Sequence, residues 1–154
     1  DFLVAIRIFP QNAGHHLIKR VIGMPGDHIV ADGNGSLSVN GVELHEDYLK
    51  PGRSASDLAF DVTVPEGYIW VMGDNRSNSS DSRYHQNDVH RGFVPQSNVV
   101  GVAKNVVWPY SHWSSLTSGQ EVFSQVPKPT STPTALPAGP AAPNPASTLA
   151  GSGD

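Results

Sequence analysis

Cysteine is absent from this 154-residue chain, which excludes disulfide staples, thiolate-held zinc and a thiol nucleophile while leaving the compartment open. Charge is sparse too. Asp, Glu, Lys and Arg make up 16% of the residues and the formal net charge is −4, so there is no basic field for nucleic acid and no acidic run that would solvate a partner. No window approaches the roughly 18 consecutive apolar residues of a membrane-crossing helix, and no charged-then-apolar leader opens the chain. A sustained 3.6-residue apolar period is also missing, so helix is expected to be scarce, a turn or two near Pro95 to Val99.

What remains is a rhythm of strands and turns. Runs rich in Val, Ile and aromatic residues (Leu3 to Phe9, Leu17 to Ile22, His28 to Ala31, Ser36 to Val39, Tyr68 to Met72, Val99 to Val107) alternate with Gly, Pro, Asn and Asp clusters. The fold class predicted is mainly β. Met24-Pro25-Gly26-Asp27 combines a fixed φ at proline with a permissive φ at glycine and predicts a tight bend. Asn40-Gly41 between Leu37-Ser38-Val39 and Val42-Glu43-Leu44 predicts a hairpin. From Val126 onward the composition changes, and seven of the 13 prolines fall between Pro127 and Pro145. Residues 1–116 are therefore expected to form one domain, and residues 117–154 a Pro/Ala/Ser/Thr-rich disordered tail. The chain enters its first apolar run at once, which leads to the expectation that it starts inside a longer protein.

Two segments could carry chemistry. In Lys19-Arg20-Val21-Ile22-Gly23, alternation sets Lys19 with Val21 on one strand face and Arg20 with Ile18 and Ile22 on the other. Partial desolvation of Lys19 would lower its pKa and bring a neutral amine within reach of neutral pH. The structural alternative is an edge-strand lysine snorkelling to water. The second segment, Gly73-Asp74-Asn75-Arg76-Ser77-Asn78-Ser79-Ser80-Asp81-Ser82-Arg83, follows an apolar strand and is too hydrophilic to pack unaided. It reads as a solvated loop, or as hydroxyls and carboxylates able to orient a neutral lysine and hold paired arginines.

Taken together and in this order, Lys19-Arg20-Val21-Ile22-Gly23-Met24-Pro25-Gly26-Asp27 and the segment Gly73 to Arg83 resemble the lysine box and the closing box (Gly-Asp-Asn-Arg-x-x-Ser-x-Asp-Ser-Arg) of the type I signal peptidases. Val39-Asn40-Gly41 followed by Glu46-Asp47-Tyr48-Leu49 is similar to that family's hairpin and the strand after it, and Gly92-Phe93-Val94-Pro95 with Asn98-Val99-Val100-Gly101 to its last strands. The likeness covers roughly residues 1–110. It implies a small coiled, barrel-like β domain and a serine endopeptidase working with a Ser/Lys dyad. Lys19 would be the general base, Ser79 would orient it, and Arg20, Asp74, Arg76, Asp81 and Arg83 would support the site, with Arg20–Asp74 the foremost pair. The partners implied are preprotein signal peptides with small residues at the first and third positions before the cut, and a cell membrane, with catalysis on its extracytoplasmic side; no nucleic acid and no cofactor is implied.

One part of the pattern is missing. The Ser-x-Ser-Met-x-Pro-Thr type segment that carries the family's nucleophile does not occur in these residues, and none of Ser36, Ser38, Ser54, Ser56 or Ser82 has its context. The serine, the membrane anchor and part of the oxyanion hole are expected upstream, and the chain alone is expected to be inactive. Residues 85–91 also make a longer link than the family's usual one, and residues 28–67 lack the large inserted β domain of some members. His85, Asp88 and His90, or His15 and His16, offer no third ligand at a spacing that fixes a tetrahedral metal site, so no metal is expected. Trp70 is expected in the core, whereas Trp108 and Trp113 are left open between core and a membrane-facing lip. Two rivals stand beside this reading: a non-catalytic β binding module on the same scaffold, and a self-cleaving repressor-type Ser/Lys protein, which would lack the Gly73 to Arg83 box.

Overall fold

A strand with apolar side chains on both faces must be covered from both sides, and two such strands organise this molecule. They are β2 (His16–Gly23) and β7 (Tyr68–Met72). In the computed structural model, which describes residues 3–7, 16–106, 114–115 and 120–136, they lie at the centre of an antiparallel sheet of order β8-β7-β2-β1-β9, with β1 at Leu3–Arg7, β8 at Val94–Pro95 and β9 at Val99–Val102. A second antiparallel sheet has the order β5-β4-β3-β6, from β3 (His28–Asp32), β4 (Leu37–Val39), β5 (Val42–Glu43) and β6 (Ala59–Thr63). A two-stranded piece pairs β10 (Asn105–Val106) with β11 (Ser114–Ser115). Three 3₁₀ turns are the helical content among the described residues. The mainly β class expected from the sequence is present.

The alternation of β2 and β7 divides the core in two. Ile22, Trp70 and Met72 join Ile29, Leu37, Val39, Phe60, Val64 and Phe93 in one cluster. Val21, Ile69 and Val71 join Val4 and Ile6 in another on the opposite face. Trp70 is fully buried, with Phe60 and Phe93 at ring-centroid distances of 5.1 and 5.4 Å. Each large apolar side chain so buried contributes roughly 1.5–3 kcal/mol.

Turn chemistry follows the sequence where the sequence is explicit. Asp27 closes the Met24–Asp27 bend with a 3.0 Å backbone bond, and Gly26 has φ +90°. Asn40 and Gly41 both take positive φ, 51° and 81°, the twist that a two-residue hairpin requires. Elsewhere the structure departs from expectation. Residues 46–49, matched to a strand, form a turn closed by Leu49 N–H to the Glu46 carbonyl. The run from 99 to 107 breaks into β9 and β10, and β6 has no counterpart among the anticipated strands. Ala-Phe-Asp-Val-Thr turns Phe60 and, less deeply, Val62 onto the first core cluster, and its five-residue pairing with β3 completes the strand.

Residues 120–136 run along the first core cluster. Val122, Phe123, Val126 and Leu136 pack on the first core cluster. The strap is tied down by Asn40 Nδ2–H to the Pro127 carbonyl (2.9 Å), Ser131 O–H to the Gly26 carbonyl (2.8 Å) and Glu66 N–H to the Thr134 carbonyl (3.0 Å). Proline makes such a segment inexpensive to order, since its φ is already fixed and its free carbonyls still accept bonds. Residues 137–154 of the expected tail lie outside the described residues. Phe123→Ala is expected to lower unfolding stability by about 1–2 kcal/mol, read as a shift in the urea midpoint. An unmoved midpoint would show that the strap does not contribute to the fold.

Candidate active site

Lys19 lies on a central strand, not an edge: β1 pairs with β2 on one side, Val4 opposite Lys19, and β7 pairs on the other. The snorkelling alternative is thereby excluded, because Lys19 shares the face of Val4 and Val21 and is 8% exposed. Arg20 and Ile22 are buried on the reverse face as alternation requires, while Ile18, nearer the strand's start, is 60% exposed. Lys19 Nζ donates to Ser79 Oγ over 2.7 Å.

Ser79 reaches the lysine because the polar box folds back along the end of β7. Strand β8 pairs only with Tyr68 and Ile69, so farther along that edge the β7 backbone needs other partners. Ser82 Oγ accepts from Val71 N–H (3.0 Å) and Asp81 Oδ2 from Gly73 N–H (2.9 Å), continuing the ladder with side chains. Gly73 is required by space: a Cβ there would lie 2.2 Å from Ser79 Oγ and 3.6 Å from Lys19 Nζ. Gly73→Ala should therefore displace Ser79 from Lys19 and lower any turnover that depends on their contact about 100-fold, the usual cost of an ångström of misplacement near the chemistry. Turnover within two-fold of wild type would sink that account.

Each buried arginine of the site has its own acid. Arg20 grips Asp74 with two bonds of 2.8 Å while its guanidinium lies 3.7 Å from the Tyr48 ring centroid. Arg83 grips Asp81 through Nε and Nη2, both at 2.9 Å, and reaches the Arg76 carbonyl at 2.8 Å. Arg76 pairs with Glu46, both side chains 2% exposed, and also bonds the carbonyls of Gly73 and Ala55. Tyr48 donates its hydroxyl to Glu46, and burial, then the Glu46 charge, push that phenol far up, so it stays protonated. Lys19 differs: among the described residues no carboxylate lies within ion-pair distance of it.

The electrostatics follow from that difference. Burial pushes the Lys19 amine below its ordinary pKa, and the nearby Arg83 charge adds to the fall that Asp81 partly opposes. Burial alone would raise Asp81, but the bonds from Arg83 and the Gly73 amide, the Arg83 charge and a hydrogen bond from Ser79 hold its carboxyl below the ordinary value. Lys19 and Ser79 therefore meet beside an Asp81 carboxylate that Arg83 and the Gly73 amide hold in place. Beside Lys19 opens a cavity of about 490 Å³, walled on its apolar side by Ile6, Val71, Phe93 and Val94.

Six of the seven site residues named from the sequence meet in two linked groups, Lys19, Ser79, Asp81 and Arg83 in one and Arg20 with Asp74 in the other; the seventh, Arg76, joins them through its carbonyl and Gly73. Sequence reasoning missed Glu46 and Tyr48. Their signal was weak, an acid and a phenol two residues apart in a segment read as strand. Trp108, Trp113 and His15 lie outside the described residues.

Against known proteins, residues 3–108 match the family model "Signal peptidase, peptidase S26". A probable signal peptidase I of Mycobacterium leprae is 43% identical over 66% of this chain and 43% of its own length. A signal peptidase I of Bacillus caldolyticus is 38% identical over 71% of this chain and 63% of its own. The crystal structure of a signal peptidase I from Enterococcus faecalis superposes with a TM-score of 0.52 at 35% identity, covering 66% of this chain and 92% of that one. The chain thus spans about two fifths of the mycobacterial relative. With the family model covering well over half of its residues, this chain belongs to the S26 family of signal peptidases.

Proposed function

We propose that this chain is the catalytic domain of a membrane-bound signal peptidase that removes leaders from secreted preproteins on the extracytoplasmic side of the cell membrane. The observation that carries the reading is the contrast among the buried cations: Arg20, Arg76 and Arg83 each face a carboxylate, whereas Lys19 faces a hydroxyl. An amine in a carboxylate's grip stays protonated, but one desolvated beside a hydroxyl can present a lone pair.

In this mechanism Lys19 N–H donates to Ser79, and the free lone pair takes the proton of a serine supplied by the segment upstream. That serine attacks the scissile carbonyl, Lys19 returns the proton to the leaving amine, and a water activated by Lys19 releases the acyl group. The apolar cavity beside Lys19 suits small side chains ahead of the cut. Arg20–Asp74, Arg76–Glu46 and Arg83–Asp81 act as supports that fix the box on β7.

The test is cleavage of a secretory preprotein by the full-length protein in detergent, with the product's N-terminus sequenced. Cleavage at the leader boundary is expected, and none by residues 1–154 alone. Turnover by residues 1–154 would refute the upstream serine, and an inert full-length protein would leave the non-catalytic β module as the better reading.

A further inference from the structure

Two adjacent serines face two different bases. Ser79 meets Lys19, while Ser80 Oγ lies 2.8 Å from His85 Nε2, and His85 Nδ1 lies 2.7 Å from Asp88 Oδ2. An ionised carboxylate can only accept, so Nδ1 carries the hydrogen, and in the neutral ring Nε2 is left to accept from the Ser80 hydroxyl. The order is acid, imidazole, hydroxyl, with the base oriented by the acid on its far nitrogen.

The surroundings hold this arrangement in place. Ser80 and His85 flank the 3₁₀ turn Ser82–Tyr84, whose Ser82 and Arg83 are buried and bonded to Val71 and Asp81. Asp88 is fixed by its backbone bond to the His85 carbonyl (3.0 Å), and Gln86 by its bond to the Arg83 carbonyl (2.9 Å). Ser80, His85 and Asp88 all line the cavity whose apolar wall includes Val71, Val89, Phe93 and Val94. A hydroxyl with a general base at the rim of an apolar cavity is the layout of an acyl-transfer site.

We propose that Ser80, His85 and Asp88 form a second nucleophilic site, with its own base but opening on the same cavity as Lys19, that hydrolyses carboxylic esters with a short apolar acyl chain seated in this cavity. Ser80 Oγ adds to the ester carbonyl carbon and its proton passes to His85 Nε2. The bond to the alcohol oxygen breaks and His85 returns the proton to the departing alkoxide. Water then adds to the acyl-serine, again through His85, releasing the acid and restoring the Ser80 hydroxyl. Esters are the class because Asp88 is exposed and screened by water, which limits the stabilisation of the imidazolium and leaves the harder amide bond out of reach.

The test uses full-length protein carrying Lys19→Ala, which silences the Ser/Lys chemistry, with p-nitrophenyl butyrate as probe. Hydrolysis above the buffer rate is expected, falling at least ten-fold on adding Ser80→Ala or His85→Gln and less on adding Asp88→Asn. A fluorophosphonate probe on protein with Ser80 and His85 intact should attach to Ser80, located by mass spectrometry, so that the result does not depend on any site variant folding. No hydrolysis above buffer, an unchanged rate after Ser80→Ala, or label on Ser79 in place of Ser80 would each overturn the proposal. Leader cleavage by the unmutated protein is a separate readout, so failure here and failure of the peptidase reading are told apart.

Discussion

Lys19→Ala is expected to lower leader cleavage by the full-length protein by about 10⁴-fold, the upper range for loss of a positioned general base. Lys19→Arg does the same, since a guanidinium stays protonated and has no lone pair to offer. Ser79→Ala costs less, about 10–100-fold, because the base survives and only its orientation suffers. For the unmutated protein, kcat/KM is expected to rise with pH through an apparent pKa below the 10.5 of an unperturbed lysine. The same shift has a stability consequence whose sign is opposite to that of a paired lysine. The native state holds the Lys19 proton less tightly than the unfolded chain does, so stability increases with pH between the lowered native pKa and 10.5. Lys19→Met removes this dependence and should raise the melting temperature below that window while cleavage is lost. A variant that melts higher and still cuts leaders at wild-type rate would remove Lys19 from the mechanism.

Asp81→Ala is expected to be the most damaging single change to the fold of the site, costing about 3–5 kcal/mol by removing the bidentate partner of a buried arginine and leaving it only the exposed Asp57 at 3.6 Å. Asp81 and Arg83 side chains are both fully buried, and Asp81 also accepts from the Gly73 and Arg83 amides. Against a total stability of roughly 5–15 kcal/mol for a domain of ordinary size, such a loss brings the variant close to unfolding at ambient temperature, which urea denaturation measures directly. Asp81→Asn should fall between, since an amide oxygen still accepts but carries no charge. The pH dependence separates charge from shape. The Asp81 carboxyl is held below its ordinary 3.8, so the native state binds fewer protons than the unfolded one and the pair's contribution is complete above 3.8. It is lost as pH falls through the native pKa. The Asn variant should lack that acid limb, and an acid limb identical to wild type would assign the transition to other carboxylates.

Much of the site was legible before any coordinates, because its parts are contiguous. Lys19 and Arg20 fall on opposite faces by strand alternation alone, and the box from Gly73 to Arg83 places Ser79, Asp81 and Arg83 within a few residues of one another. The pairs that join distant segments were another matter. Glu46 reaches Arg76 across 30 residues of sequence, and nothing in the local pattern of either residue names the other. Tyr48 stacking on Arg20 has the same character. The Ser80, His85 and Asp88 cluster is contiguous, yet its histidine was weighed as a metal ligand, because spacing alone does not show which ring nitrogen faces what.

The sequence by itself determined the mainly β class, the Met24–Asp27 bend, the Asn40–Gly41 hairpin and the membership of the two boxes, all of which rest on backbone preferences or on neighbours within a dozen residues. Only the tertiary structure decided that β2 is a central strand, that Lys19 is buried with no carboxylate at ion-pair distance among the described residues, and that Val122, Phe123, Val126 and Leu136 pack on the core. The physical reason is that burial and charge pairing depend on which distant segments cover a residue. An alternating strand reads the same at the edge of a sheet as at its centre until β1 and β7 close on either side of it.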